Sequence, residues 1–207
     1  MLDDKLLGDS QVPLVIPSFD LTSNEVHVFK TAHHPRLRRD WRRRMVDVAM
    51  ATTAAPTFLP ASPLDGLRLV DGGVWANNPA ALGIAEAVSM FGKQLEDVHV
   101  LSIGTTSDGR MRHRALDRGG FLQWRRDGAD VLMLGQSRGT NGLAFHLLGD
   151  RLLRVDQAVP AGALKMDVMD RGQLLGRAEH ISRHVCDAVS KGFLSHIAPP
   201  FHPYNPT

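Results

Sequence analysis

Apolar residues in this chain fall into short runs whose period changes from strand-like to helix-like and back, with turn residues at each change. Val12 to Phe19 sets Val, Leu and Ile between two prolines and predicts a strand. Beyond the turn signal Thr22-Ser23-Asn24, Val26 and Val28 predict a second strand ending near Lys30, so that the two form a hairpin. Loop residues follow to Pro35. Met45, Val48, Ala49 and Thr52 then fall at helical spacing and predict a helix from about Asp40 to Thr52, with Asp40 as its cap and Pro56 and Pro60 as its stop. Leu67 to Val70 reads as a short strand that ends on Asp71-Gly72-Gly73. Asn78-Pro79 opens a helix to about Met90, because asparagine caps and proline needs no N–H at the first helical position. Val98 to Ile103 is another buried strand.

Residues 107–120 are polar and glycine-bearing and read as a mobile loop. The stretch 121–149 is helical in composition, with Gly128, Gly135, Gly139 and Gly142 as interruptions. Leu152 to Val155 reads as a strand, Gly172 to Ser190 as a last helix, and residues 190–207 as an irregular tail. Strands alternating with helices predict an α/β domain.

The chain has 207 residues, 43% hydrophobic and 22% charged, which fits one folded domain and excludes global disorder. A formal charge of +2 gives no strong pull toward nucleic acid, and none is expected as a partner. The single cysteine, Cys186, excludes an intrachain disulfide and fits a reducing compartment. Met1 to Lys5 lacks a signal-peptide core, and no apolar run reaches membrane-spanning length. The expected location is therefore cytoplasmic or peripheral to a membrane.

The chemistry sits between Ala51 and Glu86. Asp71 stands where a buried strand stops, and two glycines let the chain turn without a side-chain penalty at positive φ. Strand ends in α/β sheets face the crevice where ligands bind, so a carboxylate there is a candidate general base. Free N–H groups at the start of the helix after Asn77-Asn78-Pro79 can hold the loop in place.

Ala51-Thr52-Thr53-Ala54-Ala55-Pro56 with Phe58 and Pro60, then Asp71-Gly72-Gly73, Asn77-Asn78-Pro79 and Glu86, resembles the patatin-like phospholipase family. Val100 to Thr105 resembles the strand that follows there, and the likeness runs from about Pro13 to Val189. It implies a three-layer α/β/α sheet with helices on both faces. It also implies a Ser–Asp dyad acting on acyl lipid, with Asp71 as the aspartate, Gly72 and Gly73 as the rest of its motif, and Asn77 and Asn78 in support. No cofactor and no metal are implied. Oligomeric state is open.

The family's glycine-rich oxyanion loop and its G-x-S-x-G elbow precede the matching segment, and the first 50 residues or so hold neither; Ser10 and Ser18 lack flanking glycines. The expectation is a partial domain, incomplete at its N-terminus. Gly135-Gln136-Ser137-Arg138-Gly139 does spell the motif, and Val131 to Leu134 before it would serve as the elbow's strand. Its order, after the aspartate, is the reverse of the family's, so Ser137 reads as a helix-surface serine. The competing functional reading is a scaffold that keeps the core without the chemistry.

Three other features have plain explanations. Arg36, Arg38, Arg39, Arg42, Arg43 and Arg44 form a basic patch, read as a solvated face paired with Asp40 and Asp47 rather than as a contact for lipid phosphates or nucleic acid. Of His33, His34, His113, His146, His180 and His184, the last two stand at i and i+4, but no acidic third ligand accompanies them. Cys186, among Val185, Ala188 and Val189, reads as a buried thiol.

Overall fold

The computed structural model describes residues 4–105, 107–108, 114–124, 127–159 and 170–204. Strands β1 (Val15–Asp20) and β2 (Glu25–Lys30) form the expected antiparallel hairpin. Asp20 fixes its turn, accepting the Thr22 N–H at 2.9 Å and the Ser23 hydroxyl at 2.7 Å. The bond from the Thr22 backbone, aided by those from Ser23 and Arg68, holds the Asp20 carboxyl well below the usual range.

Helix α1 (Met45–Thr52) starts later than the sequence predicts. Asp40 does not cap it. Its buried carboxylate instead accepts the Lys30 N–H at 3.2 Å and closes on Arg39 and Arg43, charged donors that outbid a helix terminus. Strand β3 (Ser62–Leu64), which the reading above missed, pairs with β4 (Leu67–Asp71) across Asp65-Gly66. Those two residues take φ 49° and 81°, the paired positive values of a two-residue type I′ hairpin. The four strands lie in the order β2-β1-β4-β3, each pair antiparallel.

Two short helices follow, α2 (Gly73–Ala76) and α3 (Ala80–Ser89), and then β5 (Val100–Ile103). The stretch expected to be a loop contains β6 (Ser107–Asp108) and a single 3-10 turn over Arg114–Asp117, the rest lying outside the described residues. Beyond it come α4 (Phe121–Trp124), α5 (Gly128–Leu148), β7 (Leu152–Val155), β8 (Ala158–Val159) and α6 (Arg171–Phe193). Strands β5 and β7 pair in parallel, as do β6 and β8. The chain is thus a mixed α/β fold. Gly135, Gly139 and Gly142 do not interrupt α5. Each costs about 1 kcal/mol of helix propensity against alanine, which burial of Thr140, Ala144 and Leu148 offsets.

Leu7, Phe29, Val48, Ala51 and Leu69 form one core cluster, joining the first residues to the four-stranded sheet and α1. Ala80, Ile84, Val98, Ala144 and Leu148 form a second between α3 and α5. Helix α6 buries no residue fully; only the stripe Arg177, Ile181, Val185, Val189 and Phe193 is half-covered. Cys186 lies beside that stripe and is exposed, contrary to the buried thiol expected.

His27 of β2 is buried, edge-on to Phe29 at 4.4 Å, and its Nε2 makes no hydrogen bond among the described residues. Burial first, then Arg39 and Arg43, push its pKa below the ordinary value of 6.5. The unfolded chain therefore takes up this proton before the folded one. The stability from a neutral His27 is complete above pH 6.5 and is lost as pH falls below it. His27→Gln should flatten the fall in melting temperature between roughly pH 7 and pH 5, read by thermal melts at both. An unchanged slope would show that His27 does not titrate this way.

Candidate active site

Asp71 ends β4 opposite Ser18 of β1. Its N–H donates to the Ala54 carbonyl at 3.0 Å, which ties it to the loop after α1. Its side chain is half-buried, and Oδ1 accepts the Gly73 N–H at 2.7 Å. Oδ2 has no partner among the described residues. One oxygen therefore fixes the carboxylate's orientation while the other remains able to accept a proton.

The glycines serve a different purpose from the one expected. Gly72 has φ −63°, and Gly73 also lies outside the positive-φ set. A Cβ on Gly72 would sit 2.3 Å from the Pro17 carbonyl oxygen, and one on Gly73 would sit 3.1 Å from Asp71 Oδ1 and 3.3 Å from Met133 Cε. Close approach of backbone to backbone, rather than a left-handed turn, excludes a side chain at position 72.

Residues whose roles the sequence did not disclose brace this corner. Thr52 Oγ1 donates to Pro17 O at 2.6 Å, and the Trp75 indole N–H donates to Ser18 O at 2.8 Å. The fully buried Ser18 spends its own hydroxyl on Val70 O at 2.7 Å, so it is not a nucleophile for Asp71. Asn77 Nδ2 reaches Met133 O at 3.4 Å. Asn78, 2% exposed, accepts the Ala80 N–H at 3.1 Å and so satisfies the first free N–H of α3, but the cap position itself is taken by Pro79, one place earlier than the first helical position expected for it. It also accepts the Ser102 hydroxyl at 3.4 Å and donates to Ser137 O at 3.3 Å. Arg154 NH1 in turn donates to Ser102 Oγ at 2.7 Å. Asn78 thus locks the Asp71 corner to α5 and β5, and through Ser102 to β7.

Ser137 lies within α5, and Val131 to Leu134 are helical, not the strand an elbow requires. A four-residue apolar run has no period of its own, so it could be read either way. The structure brings Ser137 to the corner by its carbonyl, through Asn78, and shows no strand–turn–helix around it.

His33 and Glu86 form a second buried polar group. Glu86 Oε1 lies 2.7 Å from His33 Nε2 and Oε2 lies 2.5 Å from Lys30 Nζ, while His33 Nδ1 lies 2.9 Å from Thr31 Oγ1 and its ring stacks on Phe91. This clasp ties α3 to the end of β2. His180 and His184 stand edge-on at 4.9 Å on the exposed side of α6, His146 lies in α5, and His113 falls outside the described residues.

The patatin-like phospholipase family model matches residues 2–84, a span that contains Asp71, both glycines and both asparagines. A cGAMP-activated phospholipase of Pseudomonas aeruginosa is 30% identical over 93% of this chain and 61% of its own length. A Vibrio cholerae protein of the same name is 34% identical over 51% of this chain and 32% of its own length. Patatin-like protein 2 of Arabidopsis thaliana is 31% identical over 59% of this chain and 36% of its own length. The chain thus spans about three-fifths of the Pseudomonas protein, which it matches along nearly its full extent, and about a third of the other two. No described helix is long and apolar enough to cross a membrane.

Proposed function

Because this chain belongs to the patatin-like phospholipase family, we propose that Asp71 is the general base of a Ser–Asp dyad that hydrolyses acyl esters of lipids. The observation that carries the reading is the state of its carboxylate. Oδ1 is pinned by the Gly73 N–H, and Oδ2 is unbonded among the described residues. In this mechanism a serine oxygen attacks the ester carbonyl while Asp71 takes its proton. Asp71 then returns a proton to the departing alcohol and afterwards draws one from the water that releases the acid. Among the described residues neither Ser137, which is helical, nor Ser18, whose hydroxyl is spent on Val70 O, stands at such an elbow.

An apolar substrate fits the neighbourhood. Val74, next to the D-G-G motif, is exposed, as are Phe58 and Leu59 shortly after Ala54. Each leaves apolar area in water that an acyl chain would cover.

The test is release of fatty acid from phosphatidylcholine vesicles by the intact protein, with and without cGAMP, the activator in the relatives' names. Release is expected, and stimulation would extend to this protein the control named for those relatives. A folded protein that releases no fatty acid under either condition would favour the scaffold reading instead.

A further inference from the structure

The basic run 36–44 divides into arginines that are spent and arginines that are not. Arg39 and Arg43 close on Asp40, at 2.8 and 3.2 Å. Arg44 approaches Asp47 at 4.0 Å, and Arg42 lies 4.5 Å over the Trp41 ring. Arg36 and Arg38 differ. The contact of Arg36 is Met90 Sδ at 3.7 Å, and Arg38 donates only its Nε, to the Pro35 carbonyl at 2.9 Å. Neither guanidinium meets a carboxylate among the described residues.

These two side chains border a half-open cleft of about 260 Å³ at the edge strand β2, away from Asp71. Lys30 and Arg39 add two more cations to its wall. Asp40, the one carboxylate among the described lining residues, is already neutralised by two guanidiniums. Lys30 gives one donor to Glu86 at 2.5 Å and, as an ammonium, has two others. Two of the wall's four cations, Arg39 and Lys30, are thus paired, while Arg36 and Arg38 leave positive charge facing the cleft with no carboxylate partner among the described residues.

We propose that this cleft binds a phosphodiester anion, with Arg36 and Arg38 gripping the phosphate oxygens and Lys30 adding charge beside them. A planar guanidinium matches two phosphate oxygens at once, and such charged bonds are the stronger kind. The volume lies just under the roughly 300–1,000 Å³ of pockets that enclose a whole small molecule. It suits a phosphate group whose ester arms run outward. Val28 and Leu37 share the lining, and they suit carbon arms better than bare inorganic phosphate. A soluble phosphodiester and a phospholipid headgroup present the same group. Lys30 also holds Glu86 of α3, the helix that Asn78 fixes beside Asp71, so the occupant would sit one ion pair from the helix of the candidate active site.

Two binding measurements on the intact protein at low salt separate the sources. One is calorimetric titration with cGAMP. The other is co-sedimentation with vesicles of phosphatidylcholine mixed with phosphatidylglycerol. Binding is expected in at least one. The double substitution Arg36→Ala with Arg38→Ala should weaken it roughly ten- to a hundredfold, and Arg36→Lys with Arg38→Lys should fall between. Both side chains are exposed, so the variants should fold; matching thermal melts check this. Binding to cGAMP alone assigns a soluble ligand, and binding to vesicles alone assigns the headgroup. Failure in both arms, or equal affinity in the double alanine variant, would overturn the proposal. The readout is binding rather than turnover, so it stands or falls apart from the hydrolase reading.

Discussion

Gly72→Ala is expected to cost roughly 3 kcal/mol or more of folding stability, at the top of the range for overpacked sites. The added methyl would lie 2.3 Å from the Pro17 oxygen and 2.5 Å from the Pro17 carbonyl carbon, and neither can step aside as a side chain would. Pro17 is held where it is, because Thr52 binds its oxygen and it pairs with Val28 in the hairpin. Relief would require β1 to part from the Asp71 corner. Gly73→Ala makes the useful contrast. Its contacts are a flexible methionine tip and the Asp71 oxygen, and its backbone is helical, so stability should change little while the carboxylate is pushed. Denaturant melts of the two variants read the difference. A Gly72→Ala protein that melts with wild type would show that the close approach is not a constraint.

Asp71→Asn should leave the fold intact and lower lipid hydrolysis by about a hundred- to ten-thousandfold, the usual worth of a positioned general base. The asparagine oxygen can still accept the Gly73 N–H, and the Asp71 backbone bond to Ala54 does not involve the side chain. What disappears is the ability to take a proton. Fatty-acid release per folded molecule measures this, and a loss matched by a loss of melting temperature would point to damage rather than chemistry.

Much of the corner was legible because local chemistry and tertiary role agree there. The apolar run into Asp71, the two glycines and Asn78-Pro79 signal a strand end, a tight corner and a helix start, and the structure contains all three, with Pro79 rather than Asn78 in the cap position. The reason for the glycines was not legible. An unusual φ belongs to a residue and its neighbours, whereas a close approach to Pro17 belongs to two distant segments. The same limit hid the Thr52 and Trp75 braces and the clasp of Glu86 on His33 and Lys30. Asp40 misled for the opposite reason. It has the composition of a cap, but two arginines and a strand N–H offered it more. The β3–β4 hairpin was there to be read, since Asp65-Gly66 is a strong two-residue turn signal.

A serine-directed fluorophosphonate probe tests the dyad most directly, because it reacts only with a hydroxyl that something has activated. The intact protein should be labelled at one serine, located by mass spectrometry, and Asp71→Asn should slow labelling about a hundredfold or more without altering the melt. Labelling of the two proteins at the same rate would mean that the Asp71 carboxylate activates nothing.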